Sequence, residues 1–392
     1  MKLPLLFALS TLLPAALVDD WPFWRGPERT GISAESDWVP AGKSLWGADV
    51  GIGYSSPSIA DGRLYTRGFF EADGVDRTLC LDAQTGDEIW SHEAPAKLWD
   101  NMHGGGTLTT PTVADGVVYV LSRMGPLLAF DAAEGSLLWE RDLVADFGIA
   151  VDPFGLCSSP VVLGDRVIVN VGKTLAFHRK SGKTHWETKD YTYSYSTPTP
   201  FRHGDRELLA VFNGKGLAVL ELESGVEMAL FDWTSGYNVN SASPIVFDDL
   251  LFISTGYDDK GCALLEYSDD GLREVWSNKR MCTKMSGCIL VGKLLFGFDA
   301  SELECLGLDG ELRWKERGLG KGALVVADDK LIVLSEQGEL LIAPVSEKGF
   351  EPIVREKVFE EGVCWTTPVL ANGLLYLRNS LGQLECRDHR AP

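Results

Sequence analysis

Six side chains in this sequence are suited to hold a ligand: Tyr54, Tyr195, Asn240, Lys284, Lys321 and Trp365. Aromatic rings stack on a planar group, and ammonium groups beside them attract negative charge. The set therefore suits a planar anionic molecule. These residues share one position in a recurring pattern. Three residues before a repeated proline, or its equivalent, stand Tyr54, Leu108, Cys157, Tyr195, Ser241, Met285, Lys321 and Trp365, with Asn240 and Lys284 one step earlier. The plainer reading of the same side chains is that they fill and solvate a channel mouth. Signatures of other chemistry are missing. The GKT triplets at 172–174 and 182–184 lack a P-loop glycine five positions earlier, where Val167 and Phe177 stand. There is no GxSxG elbow and no HExxH. The glycines of residues 318–322 lack dinucleotide-site spacing. The six histidines (His92, His103, His178, His185, His203, His389) show no metal-ligand spacing, and His103, ahead of three glycines, reads as a solvated loop residue. Asp258-Asp259 and Asp269-Asp270 lack the EF-hand pattern and read as turns.

What positions these side chains is a repeat. A short polar entry, usually Ser/Thr-Pro, is followed by apolar alternation and a turn. Copies begin at Ser55, Thr109, Ser158, Ser196, Ala242, Ser286, Gly322 and Thr366. Asp61-Gly62, Asp115-Gly116, Gly164-Asp165, Asp248-Asp249 and Asn372-Gly373 mark a hairpin at the same place in their copies. The flanking runs are rich in Val, Ile, Leu and Tyr, a strand-type composition. About 25 residues after each entry comes a turn glycine, usually four residues before a large apolar group: Gly86/Trp90, Gly135/Trp139, Gly182/Trp186, Gly310/Trp314 and Gly349/Ile353. Gly225 and Gly271 fit loosely, with Trp233 and Trp276 displaced. The eighth copy has no such strand, whereas Trp46 has the character with no strands before it. Residues 44–50 are therefore expected to complete the last copy. The predicted fold is all-β: an eight-bladed β-propeller of four-stranded blades, its ring closed by an N-terminal strand, leaving no open sheet edge. A tandem β-sandwich would not produce a split terminal copy. The register tryptophans read as core, docked between blades; Trp99 and Trp365 fall outside that register.

The chain of 392 residues is 45% hydrophobic and carries a formal net charge of −20. It is a folding composition, and its acidity argues against nucleic acid or anionic lipid as partners. Lys2, the apolar run from Leu3 to Val18 and the stop at Asp19-Asp20 read as a signal peptide over 1–18. Residues 19–392 are expected to form a single propeller domain. The run is too short to span a membrane and no later stretch qualifies, so no transmembrane segment is expected. The leader holds no cysteine, so no lipobox anchor is expected either. An exported, soluble protein of the periplasm or cell envelope follows. Eight cysteines without CxxC spacing leave both buried thiols and disulfides open.

The stretches DAQTGDEIW (82–90), DAAEGSLLW (131–139) and RKSGKTHW (179–186) resemble the tryptophan-docking repeat of pyrroloquinoline quinone (PQQ) propellers. WPFWRGP (21–27) and CWTTPVLANGLLYLRN (364–379) resemble the exported PQQ-like repeat branch often named after BamB. That resemblance covers essentially the whole mature chain. It implies one of two functions. In the quinoprotein dehydrogenase branch it would imply PQQ with calcium, a disulfide between adjacent cysteines and a catalytic Asp. This sequence has no adjacent cysteines and no CxxCH. The expectation is therefore a non-enzymatic, BamB-like binding or assembly module with envelope protein or peptide partners. A PQQ-dependent oxidoreductase with its cofactor at the channel mouth is the alternative, and a carbohydrate-binding propeller a third.

Overall fold

Short apolar runs separated by tight turns favour strands over helices in this chain. In the computed structural model, which describes residues 19–99, 103–152, 154–193 and 195–391, they form eight antiparallel sheets. The expected signal peptide lies outside the described residues. In chain order the blades occupy residues 58–95, 112–142, 161–187, 199–232, 245–278, 289–316, 323–357 and 369–390. Asp61 (φ 51°) and Gly62 (φ 73°) show the turn chemistry: both are left-handed, as a two-residue hairpin matched to strand twist requires. One five-residue helix, Leu143–Phe147, interrupts the pattern, its N-terminus capped by the Asp142 carboxylate. No helix among the described residues is long and apolar enough to cross a membrane.

Each blade buries its two middle strands. Arg166–Val171 and Lys173–His178, for example, carry Val167, Ile168, Val169, Leu175, Ala176 and Phe177 with no exposure. The outer strands dock blade against blade through indoles. Trp90 Nε1 donates to Ala132 O (3.0 Å), Trp139 to Arg179 O (2.8 Å), Trp186 to Leu222 O (3.1 Å) and Trp314 to Ser346 O (2.8 Å). The turn glycine belongs to this contact, but across the blade boundary. A Cβ on Gly135 (φ 71°) would lie 2.5 Å from the Trp90 ring of the preceding blade. Trp276 also occupies the docking position, on Gly310 and bonded to Leu308 O (2.8 Å), and is not displaced. The first six blades all carry a bulge beside this position, so the extra residue is taken up in the fifth blade's hairpin, where pairing runs on to Ser268 and Gly271. In the fourth blade Ala229 faces the next turn glycine instead, and Trp233 is buried off register.

The ring closes as the split copy requires. Trp38–Asp49, longer than the expected 44–50, pairs antiparallel with Gln383–Arg390, and Trp46 Nε1 donates to Ala83 O of the first blade (3.2 Å). Arg378 adds a buried clasp: its guanidinium donates to Ser55 O, Thr66 Oγ1, Arg67 O and Gly51 O at 2.6–2.9 Å, and burial lowers it to about 9. Residues 21–33 lie across the ring. Trp21 exchanges backbone bonds with Ile59, Val113 N donates to Pro22 O, and Arg29 reaches Val162 O. Arg25 reaches Cys288 O, and Ile32–Ser33 pairs in parallel with Ala323–Ala327. Four inner strands are joined by this one segment, Cys288 stands just ahead of a fifth, and Trp24 Nε1 bonds to Ser243 Oγ (3.1 Å) beside a sixth. All eight cysteines are free thiols, seven of them buried.

Candidate functional site

The segments that enter the inner strands converge at one end of the ring. There a funnel of about 740 Å³ opens, with Trp24 of the crossing segment among its lining residues. Seven of the eight register residues line it: Tyr54, Leu108, Cys157, Tyr195, Ser241, Met285 and Trp365, together with Lys284. The shared position explains the convergence, because each copy enters its inner strand at the same height.

The sequence-predicted residues do not all share this cavity. Tyr54 stacks on Trp365 (centroids 5.2 Å, planes 21° apart), and its hydroxyl donates to His103 O. Burial pushes the Tyr54 phenol to about 12. Trp365 Nε1 is held by Glu336 Oε1 at 2.8 Å. Lys321 sits beside that ring, Nζ 5.5 Å from its centroid, and is not a lining residue. Lys284 Nζ stands 5.8 Å from the centre of the Tyr257 ring. Asn240 departs from the expectation. It has no exposure, and its amide donates to Asn213 O (2.7 Å) and Trp233 O (3.0 Å). Backbone carbonyls left open at the end of a blade drew it inward.

Several lining residues come from inter-blade loops that the repeat does not reach. His103 is not a solvated loop residue; its ring lies 5.3 Å from both Trp365 and Phe154. Burial first, then Lys321, holds it below the ordinary histidine value. Asp152 accepts from Phe154 N, Gly155 N and the Tyr195 hydroxyl. Burial raises its carboxyl, against the two backbone donors. Cys157 is pushed well up by burial, then by Asp152. Tyr237 stands 86% exposed on the rim, and both it and Asn238 are left-handed (φ 62° and 56°). Two such residues in sequence hold a ring outward at a conformational cost. The alternating Tyr191, Tyr193 and Tyr195 were the one visible signal for this wall; Tyr193 and Tyr195 reach the funnel.

Calcium takes about six to eight oxygen ligands, and PQQ carries three carboxylates that need donors. Asp152 is the one carboxylate among the described residues lining the funnel, and its oxygens are already engaged. Cys157 is a lone thiol there. This donor set does not fit a calcium–PQQ pair. Eight aromatic side chains, His103 and Lys284 instead form a wall whose chemistry suits apolar and planar groups.

Comparison with known proteins places the chain among propellers of this kind. The family described as outer membrane protein assembly factor BamB matches residues 36–278. The BamB of Burkholderia pseudomallei is 29% identical over 193 residues, 47% of this chain and 44% of that one, so the match spans less than half of that relative. The structure of BamB from Moraxella catarrhalis superposes with a TM-score of 0.63 at 16% identity, covering 89% of this chain and 100% of that chain. The quinohemoprotein alcohol dehydrogenase of Comamonas testosteroni gives 0.71 at 11% identity, covering 95% and 81%. At these identities the two structures share the fold alone.

Proposed function

The chain belongs to the family described as outer membrane protein assembly factor BamB, and on that premise we propose that it is an exported, non-enzymatic binding or assembly module of the periplasm or cell envelope. In this reading residues 1–18 are the signal peptide, 19–392 form a single propeller domain, and the funnel takes a segment of a partner polypeptide. One observation carries it: eight aromatic side chains converge on a cavity of about 740 Å³, within the usual range for a ligand site. Stacked and clamped rings such as Tyr54 and Trp365 are ordered before a ligand arrives, which lowers the entropy cost of binding. Lys284 and Lys321 place positive charge at the site of a chain whose net charge is −20. The segment that fits best brings an apolar or aromatic side chain and an acidic group.

A photo-crosslinking side chain at Tyr237 tests this in cells. Adducts with envelope polypeptides that disappear on Trp365→Ala support the reading. A PQQ titration with Ca²⁺ supplies the opposing outcome. Saturable quenching of tryptophan fluorescence together with dye-linked alcohol oxidation would replace the module with a quinoprotein oxidoreductase.

A further inference from the structure

We infer that the third blade carries a first-row transition-metal site formed by Asp165, His178 and His185. The three side chains lie on adjacent hairpins, and their ligand atoms fall within 4.8 Å of one another. Asp165 Oδ2 is 3.7 Å from His178 Nε2 and 3.5 Å from His185 Nε2, and the two imidazoles stack at 4.4 Å with planes 26° apart. Zinc bonds of about 2.0–2.2 Å in a tetrahedral arrangement put neighbouring donors about 3.4 Å apart. The carboxylate is within a few tenths of an ångström of that spacing from each ring, and the stacked imidazoles need to turn so that both Nε2 atoms face the ion.

The frame around these donors is rigid. Arg179 N donates to Asp165 O (2.8 Å), which ties the two turns together. His178 N donates to Lys183 O (2.7 Å), and Gly182 N to His178 O (2.8 Å), which closes the second turn. Arg166 holds the other Asp165 oxygen, Oδ1, at 3.1 Å and leaves Oδ2 facing the imidazoles. An outer partner that orients a ligating carboxylate is a usual part of metal sites. Two imidazoles and one carboxylate suit Zn²⁺, Cu²⁺ or Ni²⁺ rather than Ca²⁺ or Mg²⁺. The site is solvent-exposed, so its remaining coordination positions are open to water or to a donor from another molecule. The sequence hides it because His178 and His185 are seven residues apart and meet only through a hairpin bulged between Ala176 and Phe177.

The test uses the full chain without a histidine tag. Calorimetric titration with Zn²⁺ is expected to show one ion per chain at micromolar affinity. His178→Ala and His185→Ala should each weaken it at least about tenfold, as loss of a direct ligand must exceed loss of a supporting one. His203→Ala is the control: His203 Nδ1 bonds to Asp249 Oδ1 (2.6 Å) on other blades and should change nothing. Electron paramagnetic resonance of the Cu²⁺ form should show coupling to two nitrogens. Asp165→Asn keeps the side-chain shape and should also weaken binding, guarding against misfolding of the alanine variants. Zn²⁺ affinity unchanged in both histidine variants, no binding at hundreds of micromolar, or a copper spectrum without nitrogen coupling would each overturn the site.

Discussion

Glu35 offers a sharp test of how the ring is sealed. It follows the crossing segment and is 6% exposed. Its Oε2 accepts from Gly373 N (2.7 Å) in the last blade's hairpin, while Oε1 is buried without a hydrogen-bond partner. Burial raises the carboxyl from 4.5 to about 7, against the pull of the Gly373 N–H, with Asp19 adding to the rise. The sign follows from proton counting. Between those values the folded state holds a proton that the unfolded chain has released, so stability falls as pH rises through this window. The full penalty is reached above about pH 7, and at 1.36 kcal/mol per pH unit it amounts to about 3 kcal/mol. Glu35→Gln keeps a carbonyl for Gly373 and removes the charge. The assay is thermal unfolding of both proteins from about pH 4.5 to about pH 8. At about 2.1 cal/mol/K per residue, a chain of 392 residues converts that penalty to about 4 °C. The melting-temperature difference should therefore move by about 4 °C in favour of the variant across that range. Parallel pH profiles with a constant offset would refute the argument, because they would mean that Glu35 ionises in water-like surroundings.

The docking contact and the buried ion pair make two further predictions. Gly62→Ala, left-handed at φ 73° with nothing within 4 Å of the new methyl, should cost about 1–2 kcal/mol. Gly135→Ala meets the same strain and the Trp90 ring at 2.5 Å, so overpacking should raise its cost to about 2–5 kcal/mol. Equal midpoint shifts in denaturant for the two variants would show that the indole is not seated there. Arg123 and Asp76, 1% and 2% exposed, form a two-pronged pair at 3.1 Å between the first two blades. Asp76→Asn should cost about 3–5 kcal/mol by stranding the guanidinium. Arg123→Met in that background should recover part of the loss, and strict additivity of the two single changes would count against the pair.

The architecture was legible because the repeat is written in local chemistry. Asp61-Gly62 and its equivalents specify hairpins without reference to distant residues, and the missing strand of the last copy pointed directly to Trp46. The register of the mouth was legible for the same reason: equal sequence offset gives equal height in the ring. Side-chain direction was not. Asn240, one step before the register position, turned to carbonyls that only the folded blade exposes. His103, Asp152 and Phe154 stand on inter-blade loops whose paths follow from packing rather than periodicity. The assignment of Gly135 and Trp139 to one marker placed both correctly in their blade, yet the partner of that glycine is Trp90, one blade earlier. Contacts across a blade boundary leave no signature at fixed spacing.

The strip of chain from Trp21 to Ser33 has a consequence for traffic. It is fastened to inner strands around most of the ring, with Trp24 facing into the funnel, so it lies across the path from one face to the other. On the proposed binding role, a guest would enter and leave on the funnel side. That arrangement would favour a chain end or the tip of a loop over a strand running through. The guest's residence time would then be set at the rim, where Tyr237 stands, and release would be an act of competition there.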